Sequence, residues 1–218
     1  MNIARIRVLG SNYVGLFVVT NDSLAFVPHQ IEERALKEIE KTLEVKTVKI
    51  SLYESALLAV FSKMNNKYIY LPDFVLGKEL EVIEKEIKIK MIPTENALGN
   101  MIELNDYGAI ASRTLQKNAI DELKKSGLAV FQTNIARTDV VGSCLVATNQ
   151  GFVVNPNVTS EEAIRIEETL KVKGGSSTAN TGDLFIRNSI IANKKGAILG
   201  ESTTPHEINR IEEALEGL

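Results

Sequence analysis

Few side chains in this sequence could carry covalent or acid–base chemistry. The chain has one cysteine, Cys144, and two histidines, His29 and His206. Cys144 begins an apolar run at 144–147 that predicts a strand, and a free cysteine in such a run is commonly a small buried hydrophobic residue. His29 follows Pro28 in a predicted loop, and His206 lies near the start of the last predicted helix. We therefore expect no enzyme activity.

Sequence motifs for cofactors and metals are also lacking. One cysteine excludes an internal disulfide and a cysteine-rich metal site. The sequence has no glycine-rich phosphate loop, no ligand set at metal-binding spacing and no Gly-x-Ser-x-Gly elbow. We expect the protein to work without a cofactor.

Charge and hydropathy limit the partners. A formal net charge of −3 over 218 residues argues against broad electrostatic binding to nucleic acid. Arg187 and the lysine pair at 194–195 could contact phosphate, whereas the pair at 124–125 could equally be solvated charges on a helix. Ordinary surface solvation is the favoured interpretation of these charges. No apolar run is long enough to cross a bilayer, and the first ten residues do not form a signal peptide. We expect a cytoplasmic protein with no membrane partner.

A repeated unit positions these side chains. Residues 141–171 contain an apolar run, a turn at Asn149, a second apolar run, a break at Pro156 and an acidic segment with helical periodicity. Asparagine and glycine suit tight hairpin turns, so this order predicts strand, turn, strand and helix. Similar turns occur at Asn21, Asn65, Asn105 and Asn193, which gives spacings of 44, 40, 44 and 44 residues.

Other features keep the same register. Pro28, Pro72 and Pro156 each lie seven residues after the turn asparagine. An apolar residue lies fifteen after it in every unit, namely Leu36, Leu80, Ile120, Ile164 and Ile208. Repeats of this length are typical of stacked or ring-shaped arrays. We predict one domain of five repeats at about 12–50, 56–92, 97–133, 141–175 and 184–218, plus a strand at 3–8.

The two ends of the chain indicate how the array is arranged. The last unit stops at Leu218, where the earlier units have a closing strand, and residues 3–8 alternate as a strand does. If that strand completes the last blade, the array closes into a five-bladed α/β propeller with pseudo-fivefold symmetry and no exposed sheet edge. An open solenoid is the alternative, but its end units should be polar and atypical.

In such a ring, equivalent turns lie on one face. Asn21, Asn65, Asn105, Asn149 and Asn193 are then expected to form a circle of polar turn tips, which suggests docking to a large partner. The alternative is that each asparagine serves only the turn conformation. A charged residue at Asn105 should weaken docking and leave the melting temperature nearly unchanged, whereas a large loss of stability would favour the alternative.

Six segments of the sequence match a known family. They are Ala97-Leu98-Gly99-Asn100, Asn105-Asp106-Tyr107, Val141-Gly142-Ser143, Asn149-Gln150-Gly151-Phe152-Val153, Phe185-Ile186-Arg187 and Gly200-Glu201-Ser202-Thr203-Thr204. Together they resemble the translation initiation factor 6 family of archaea and eukaryotes. The similarity covers essentially the whole chain and is strongest from Ala97 onward. The second unit departs from the family with Ala59 and Tyr68, where relatives often have glycine, and the chain ends after the fifth helix, as archaeal members do.

This resemblance implies both a fold and a function. The fold would be a pentein-like α/β propeller with a solvent-filled axial well. The protein, as a monomer, would bind the large ribosomal subunit beside the sarcin–ricin loop, against a ribosomal protein and with rRNA contacts left open. There it would sterically prevent association with the small subunit. Asn105 would be an interface residue, with Asp106 and Tyr107 beside it, and the other four turn asparagines follow by symmetry.

Two further functions remain open from the sequence. Guanidine-modifying enzymes use the same kind of ring, with a cysteine nucleophile, a histidine and carboxylates around the central well. Here the only thiol is Cys144, and no histidine or carboxylate motif accompanies it. The third function is a protein-binding scaffold with another target.

Overall fold

The computed structural model describes residues 1–75 and 77–218, which form five three-stranded sheets. In each sheet the middle strand pairs antiparallel with an inner strand and parallel with an outer strand. The strands are β1 (Asn2–Ile6), β2 (Val19–Thr20), β3 (Leu24–Pro28), β4 (Lys46–Ile50), β5 (Lys63–Met64), β6 (Tyr68–Pro72), β7 (Lys88–Ile92), β8 (Ile102–Leu104), β9 (Gly108–Ser112), β10 (Ala129–Thr133), β11 (Leu145–Ala147), β12 (Gly151–Val154), β13 (Lys173–Ser176), β14 (Ile190–Ala192) and β15 (Gly196–Gly200).

Each sheet and the helix that follows its middle strand form one blade. Blades 1 to 4 follow chain order, and blade 5 combines β14, β15 and β1. The blade helices are α1 (Glu33–Leu43), α2 (Gly77–Glu84), α3 (Lys117–Lys125), α4 (Ser160–Leu170) and α5 (Pro205–Glu216). A short helical turn precedes each inner strand, at Val14–Leu16, Leu58–Phe61, Leu98–Met101, Val141–Cys144 and Ile186–Ser189.

The ring is closed by the first strand. β1 pairs with β15 in parallel, with Asn2 opposite Gly196 and Ile6 opposite Gly200. The inner strands β2, β5, β8, β11 and β14 are neighbours in that order, and β14 contacts β2 again. The predicted closed five-bladed α/β propeller, with the N-terminal strand completing the last blade, is confirmed, and the open solenoid is wrong. That the five units make up a single domain with the boundaries given above stays a prediction.

The helices lie between the blades because each has one apolar face. Helix α1 packs on β15 and β1 of blade 5, where Ile39 and Leu43 share a core cluster with Ile191 and Ile198. Helices α4 and α5 pack in the same way on the sheets of blades 3 and 4. Every joint between blades is therefore a hydrophobic core, and the ring is held together all the way round.

The last helix begins with a capping box. The Thr204 side chain accepts from the Glu207 amide, Glu207 reaches back to the Thr204 amide, and Pro205 occupies the first turn. Gly217 ends the helix in the left-handed region, with φ of 70°. This end uses the glycine C-cap that many helices share.

The short helical turns were predicted as strands, and this part of the prediction is wrong. The stretches 14–20, 58–64 and 186–192 each contain a helical turn followed by only two or three strand residues. Cys144 ends such a turn instead of lying within a strand. A short apolar run fits a buried helical turn as well as a strand, so periodicity does not separate them.

The fourth repeat is shifted by one residue from the predicted register. The Thr148 backbone amide donates to the Gly151 carbonyl across the hairpin, as the Asn21 amide donates to the Leu24 carbonyl, so Thr148 and not Asn149 is the equivalent position. The Thr148 hydroxyl accepts from the turn amides and replaces the asparagine oxygen. The error carried forward to the apolar position fifteen residues on, which is Ala163 when counted from Thr148, and Ile164, assigned to that position, is 56% exposed.

Candidate functional site

All five hairpin turns lie at one end of the ring, which we call the turn face, around the mouth of an axial well. Asn21, Asn65, Asn105 and Asn193 occupy the first turn position and are only 3 to 8% exposed. In each, Oδ1 accepts from the backbone amides two and three residues further on. This geometry is an Asx turn, which supports the interpretation that these four asparagines set the turn conformation.

The same four asparagines also tie neighbouring blades together. Their Nδ2 groups donate to the backbone carbonyl of the next turn, from Asn21 to Asn65 at 3.0 Å, from Asn65 to Asn105 at 3.2 Å, from Asn105 to Thr148 at 3.0 Å and from Asn193 to Asn21 at 3.1 Å. Thr148 has no side-chain amide to donate, so this series of hydrogen bonds is interrupted between blades 4 and 5. The first turn position is therefore structural.

The second turn position forms a polar rim, which consists of Asp22, Asn66, Asp106, Asn149 and Lys194. Four backbone amides of the rim each donate to the side chain of a neighbouring rim residue at 2.9–3.1 Å. They are those of Asp22, Asn66, Asp106 and Lys194. Asn66 Nδ2 donates to Asp22 at 2.7 Å and to Asp106 at 2.8 Å, and Asn149 Nδ2 donates to Asp106 at 2.7 Å. Sequence reasoning named Asp106 and Asn149 as interface residues and Lys194 as a possible phosphate contact. It missed Asp22 and Asn66, although a polar residue at this position in all five units was a visible signal.

The third turn position is exposed in blades 1 to 4 and half-buried in blade 5. Its residues are Ser23, Lys67, Tyr107, Gln150 and Lys195. Tyr107 is 44% exposed, although aromatic side chains are commonly buried. Lys195 donates to the Glu44 carbonyl at 2.9 Å, and Lys194 lies 3.8 Å from the Asp22 carboxylate. The turn face therefore has mixed charge, one exposed aromatic ring and little freedom of movement.

Deeper in the well lies a buried group of charges. Lys63 on β5 forms an ion pair with Glu103 on β8, and Arg187 donates from Nη1 to the carbonyls of Gly15 at 2.5 Å and Ile190 at 3.1 Å. Burial lowers the pKa of Lys63 to about 8, assisted by the Arg187 charge and opposed by Glu103. Burial also lowers the pKa of Arg187, and Glu103 acts in the opposite direction. Arg187 is thus enclosed in the ring and is not available as a surface phosphate contact.

The other chemical candidates are not brought together. Cys144 is fully buried in a core cluster with Val141 and Leu145, and burial raises its pKa to about 11, partly opposed by a hydrogen bond with Asn155. A thiol in this state is a poor nucleophile. His29 and His206 are exposed, on blades 1 and 5. Over residues 1–75 and 77–218 there is no cluster of three or more potential metal ligands, and no helix has the length and apolarity to cross a membrane.

The fold and site together define a closed five-bladed α/β propeller with one flat, hydrogen-bonded polar face around a narrow axial well. The sequence model of the eIF-6 family matches residues 3–214 of this chain. Translation initiation factor 6 of Pyrococcus abyssi is 33% identical over 224 residues, which cover 99% of both chains. The factor of Staphylothermus marinus is 32% identical over 224 residues and covers 100% of this chain and 99% of that one. That of Sulfolobus acidocaldarius is 30% identical over 98% of this chain and 99% of the relative.

The chain therefore belongs to the eIF-6 family, and its role is that of a translation initiation factor. Among solved structures it is similar to an amidinotransferase from Microseira wollei of the saxitoxin biosynthetic pathway, at 14% identity and a TM-score of 0.42, over 54% of this chain and 38% of that one. The assignment to the family depends on the sequence relatives alone.

Proposed function

We propose that the turn face binds the large ribosomal subunit and sterically prevents its association with the small subunit. Membership of the eIF-6 family supports a ribosomal partner. The observation that carries the proposal is the rim, in which side chains from neighbouring blades hold one another in a single arrangement. A surface that is ordered before binding loses little conformational entropy when it docks, which favours recognition of a large rigid particle.

The charges of the turn face favour a protein surface as the main contact. Of the three lysines on the turn face, Lys194 and Lys195 are each paired with a carboxylate, at 3.8 Å from Asp22 and 3.5 Å from Glu44. Lys67 is then the one lysine of the described turns without an ion pair. Binding that depends on RNA phosphates draws on uncompensated lysine and arginine residues. We therefore propose that the face docks on a ribosomal protein beside the sarcin–ricin loop, with rRNA contacts limited to the edge of the interface.

The proposed site residues divide into two roles. Asn21, Asn65, Asn105 and Asn193 position the turns from below, because their side chains are buried. Asp106, Asn149 and Tyr107 are partly or largely exposed and would contact the partner. Tyr107 is the expected centre of the interface, since aromatic side chains dominate the binding energy of many protein interfaces.

The first experiment measures binding. Purified large subunits are co-sedimented with the protein and with Tyr107→Ala. The matched control is Tyr13→Ala. Tyr13 is 47% exposed and lies beside the helical turn that precedes β2, at the end of that strand away from the hairpin turn. Truncation of a central aromatic residue commonly costs 1 kcal/mol or more, so we expect Tyr107→Ala to weaken binding about tenfold. Tyr13→Ala should bind as the unchanged protein does. Equal binding by all three proteins would show that another surface docks.

The second experiment measures the steric block. Light scattering follows the joining of purified large and small subunits as the factor is added, and we expect joining to fall in proportion to occupancy of the large subunit. Tyr107→Ala should need about ten times more protein for the same effect. Binding that leaves subunit joining unimpaired would contradict anti-association and favour the scaffold alternative.

A further inference from the structure

The three buried charges of the axial well occupy positions that are uncharged in the other blades. Lys63 and Glu103 lie two residues before the first turn position of blades 2 and 3, where the other blades have Val19, Val146 and Ile191. Arg187 lies six residues before the turn of blade 5, where the other blades have Gly15, Ala59, Gly99 and Gly142. The fold itself therefore does not require charge at any of these positions.

The charges of this cluster do not balance. Lys63 pairs with Glu103 Oε2, and Arg187 Nε lies 3.9 Å from the same oxygen. Oε1 of Glu103 accepts from the Ala147 amide at 3.1 Å. Lys63, Glu103 and Arg187 are only 3%, 5% and 9% exposed, so two cations share one carboxylate away from bulk water. A buried charge without a partner is costly, which calls for a compensating group.

The well offers space for such a group beside both cations. Lys63, Glu103 and Arg187 line a cavity whose remaining walls are mostly apolar side chains of the inner strands. It has room for about two water-sized species. Among the described residues that line the cavity, Glu103 is the only carboxylate, and Asp22 and Asp106 in the rim already accept hydrogen bonds from Asn66. The balancing group must therefore come from solution.

We propose that this cavity binds one small monovalent inorganic anion of the halide class, held between Lys63 Nζ and the Arg187 guanidinium group. The size of the cavity admits a halide and excludes a nucleotide or a guanidino compound. One negative charge neutralises the excess of one positive charge. Because Lys63 and Arg187 come from blades 2 and 5, the bound anion also connects these two blades at the axis.

Diffraction tests the site directly. Crystals of the full chain are grown in sodium bromide, and an anomalous difference map is calculated at the bromine absorption edge. We expect a bromide peak on the axis, within hydrogen-bond distance of Lys63 Nζ and Arg187. A map with no axial peak, or with bromide only at surface lysines, would overturn the proposal, since water would then fill the cavity.

A solution experiment tests the coupling to stability. The melting temperature is measured as sodium chloride replaces sodium gluconate at constant ionic strength and pH 7. A ligand that binds only the folded state should raise it by about 3–5 °C for each tenfold increase in chloride above the dissociation constant. Lys63→Met should lose this dependence, whereas Lys67→Met, an exposed control on the same blade, should keep it.

The outcomes are distinct. A chloride response that persists in Lys63→Met would overturn the site, because it would arise elsewhere on the protein. A chloride response absent from the unchanged protein would do the same. If Lys63→Met does not fold, the bromide map of the unchanged protein decides the question by itself.

Discussion

The side-chain amide of Asn105 donates to the carbonyl oxygen of Leu170, the last residue of α4, at 2.8 Å. Asn193 makes the same bond to Leu43, the last residue of α1, at 2.9 Å. The final carbonyl groups of a helix have no partner within the helix, so the turn of one blade ends the helix of the next. Hydrogen bonds thus connect the turn face directly to the helices that pack between the blades.

Replacement of Asn105 should reduce stability strongly. Its side chain makes four hydrogen bonds, to Tyr107, Gly108, Thr148 and Leu170, at 2.8–3.1 Å. Each bond contributes about 0.5–1.5 kcal/mol, and buried groups left unpaired cost more, so Asn105→Ala should lose about 2–4 kcal/mol in urea unfolding. Asn149→Ala, on the half-exposed rim, should lose about 1 kcal/mol. Equal losses in the two variants would contradict this difference in role.

Gly99 should not tolerate a side chain. A Cβ there would lie 1.9 Å from the Ala59 carbonyl oxygen, where two helical turns meet. Because backbone must move to make room, Gly99→Ala should cost about 1–3 kcal/mol or more. Gly77→Ala is the control, since a Cβ at Gly77 meets nothing within 4 Å. Thermal melts of both proteins test this, and a Gly99→Ala protein as stable as the control would show that the turns are loosely packed.

Lys63 should give stability a particular pH dependence. Its pKa is lowered to about 8 in the folded protein, so between about pH 8 and its ordinary value of 10.5 the unfolded chain binds more protons. The free energy of unfolding should therefore rise with pH across this window, as an unfavourable buried charge is removed. Urea unfolding in gluconate at pH 7 and pH 10 measures this. The protein should gain stability relative to Lys63→Met as pH rises, and a relative loss would contradict the assignment.

Glu207 should stabilise the protein while it is ionised. Burial raises its pKa, but hydrogen bonds from Thr204, Thr178 and Gly182 outweigh burial, and the net shift is downward. Its contribution is therefore present above the unfolded pKa of about 4.3 and is lost as pH falls through the folded value. Glu207→Gln should cost about 1–3 kcal/mol at pH 7 and less at pH 3.

The control for that prediction is Glu201→Gln, which removes an exposed ion pair with Arg7 and should cost less than about 1 kcal/mol at either pH. Guanidinium unfolding at the two pH values compares the variants. A Glu207→Gln deficit that grows as pH falls would contradict the direction of the shift.

The ring was predictable because its signals are periodic. Local sequence patterns predict the hairpin turns, helix starts such as Thr204 and the extra strand near the N-terminus. Together these elements predict that the ring of blades is closed. The short helical turns were not predictable, since a run such as that before Asn21 fits either structure. The one-residue shift at Thr148 was not predictable, because there a hydroxyl oxygen replaces the asparagine side-chain oxygen as the hydrogen-bond acceptor of the turn.

The candidate site was predictable only in outline. The asparagine spacing placed the turn face correctly, but burial of Asn105 depends on Leu170, which lies 65 residues away in sequence. The charges of the well had a weak signal, because Lys63 and Glu103 interrupt a position that is aliphatic elsewhere. Their proximity to Arg187 follows from closure of the ring, which no local pattern encodes.

The chemical differences among the tips have a consequence for orientation. Five turns with nearly the same backbone would let a partner settle in any of five rotations about the central axis, each as good as the next. Only Tyr107 offers a phenol, with Lys67 on one side and Gln150 on the other. A partner could therefore bind this nearly fivefold-symmetric molecule in one rotational orientation only. That orientation would be set by side chains that the fold leaves free to vary.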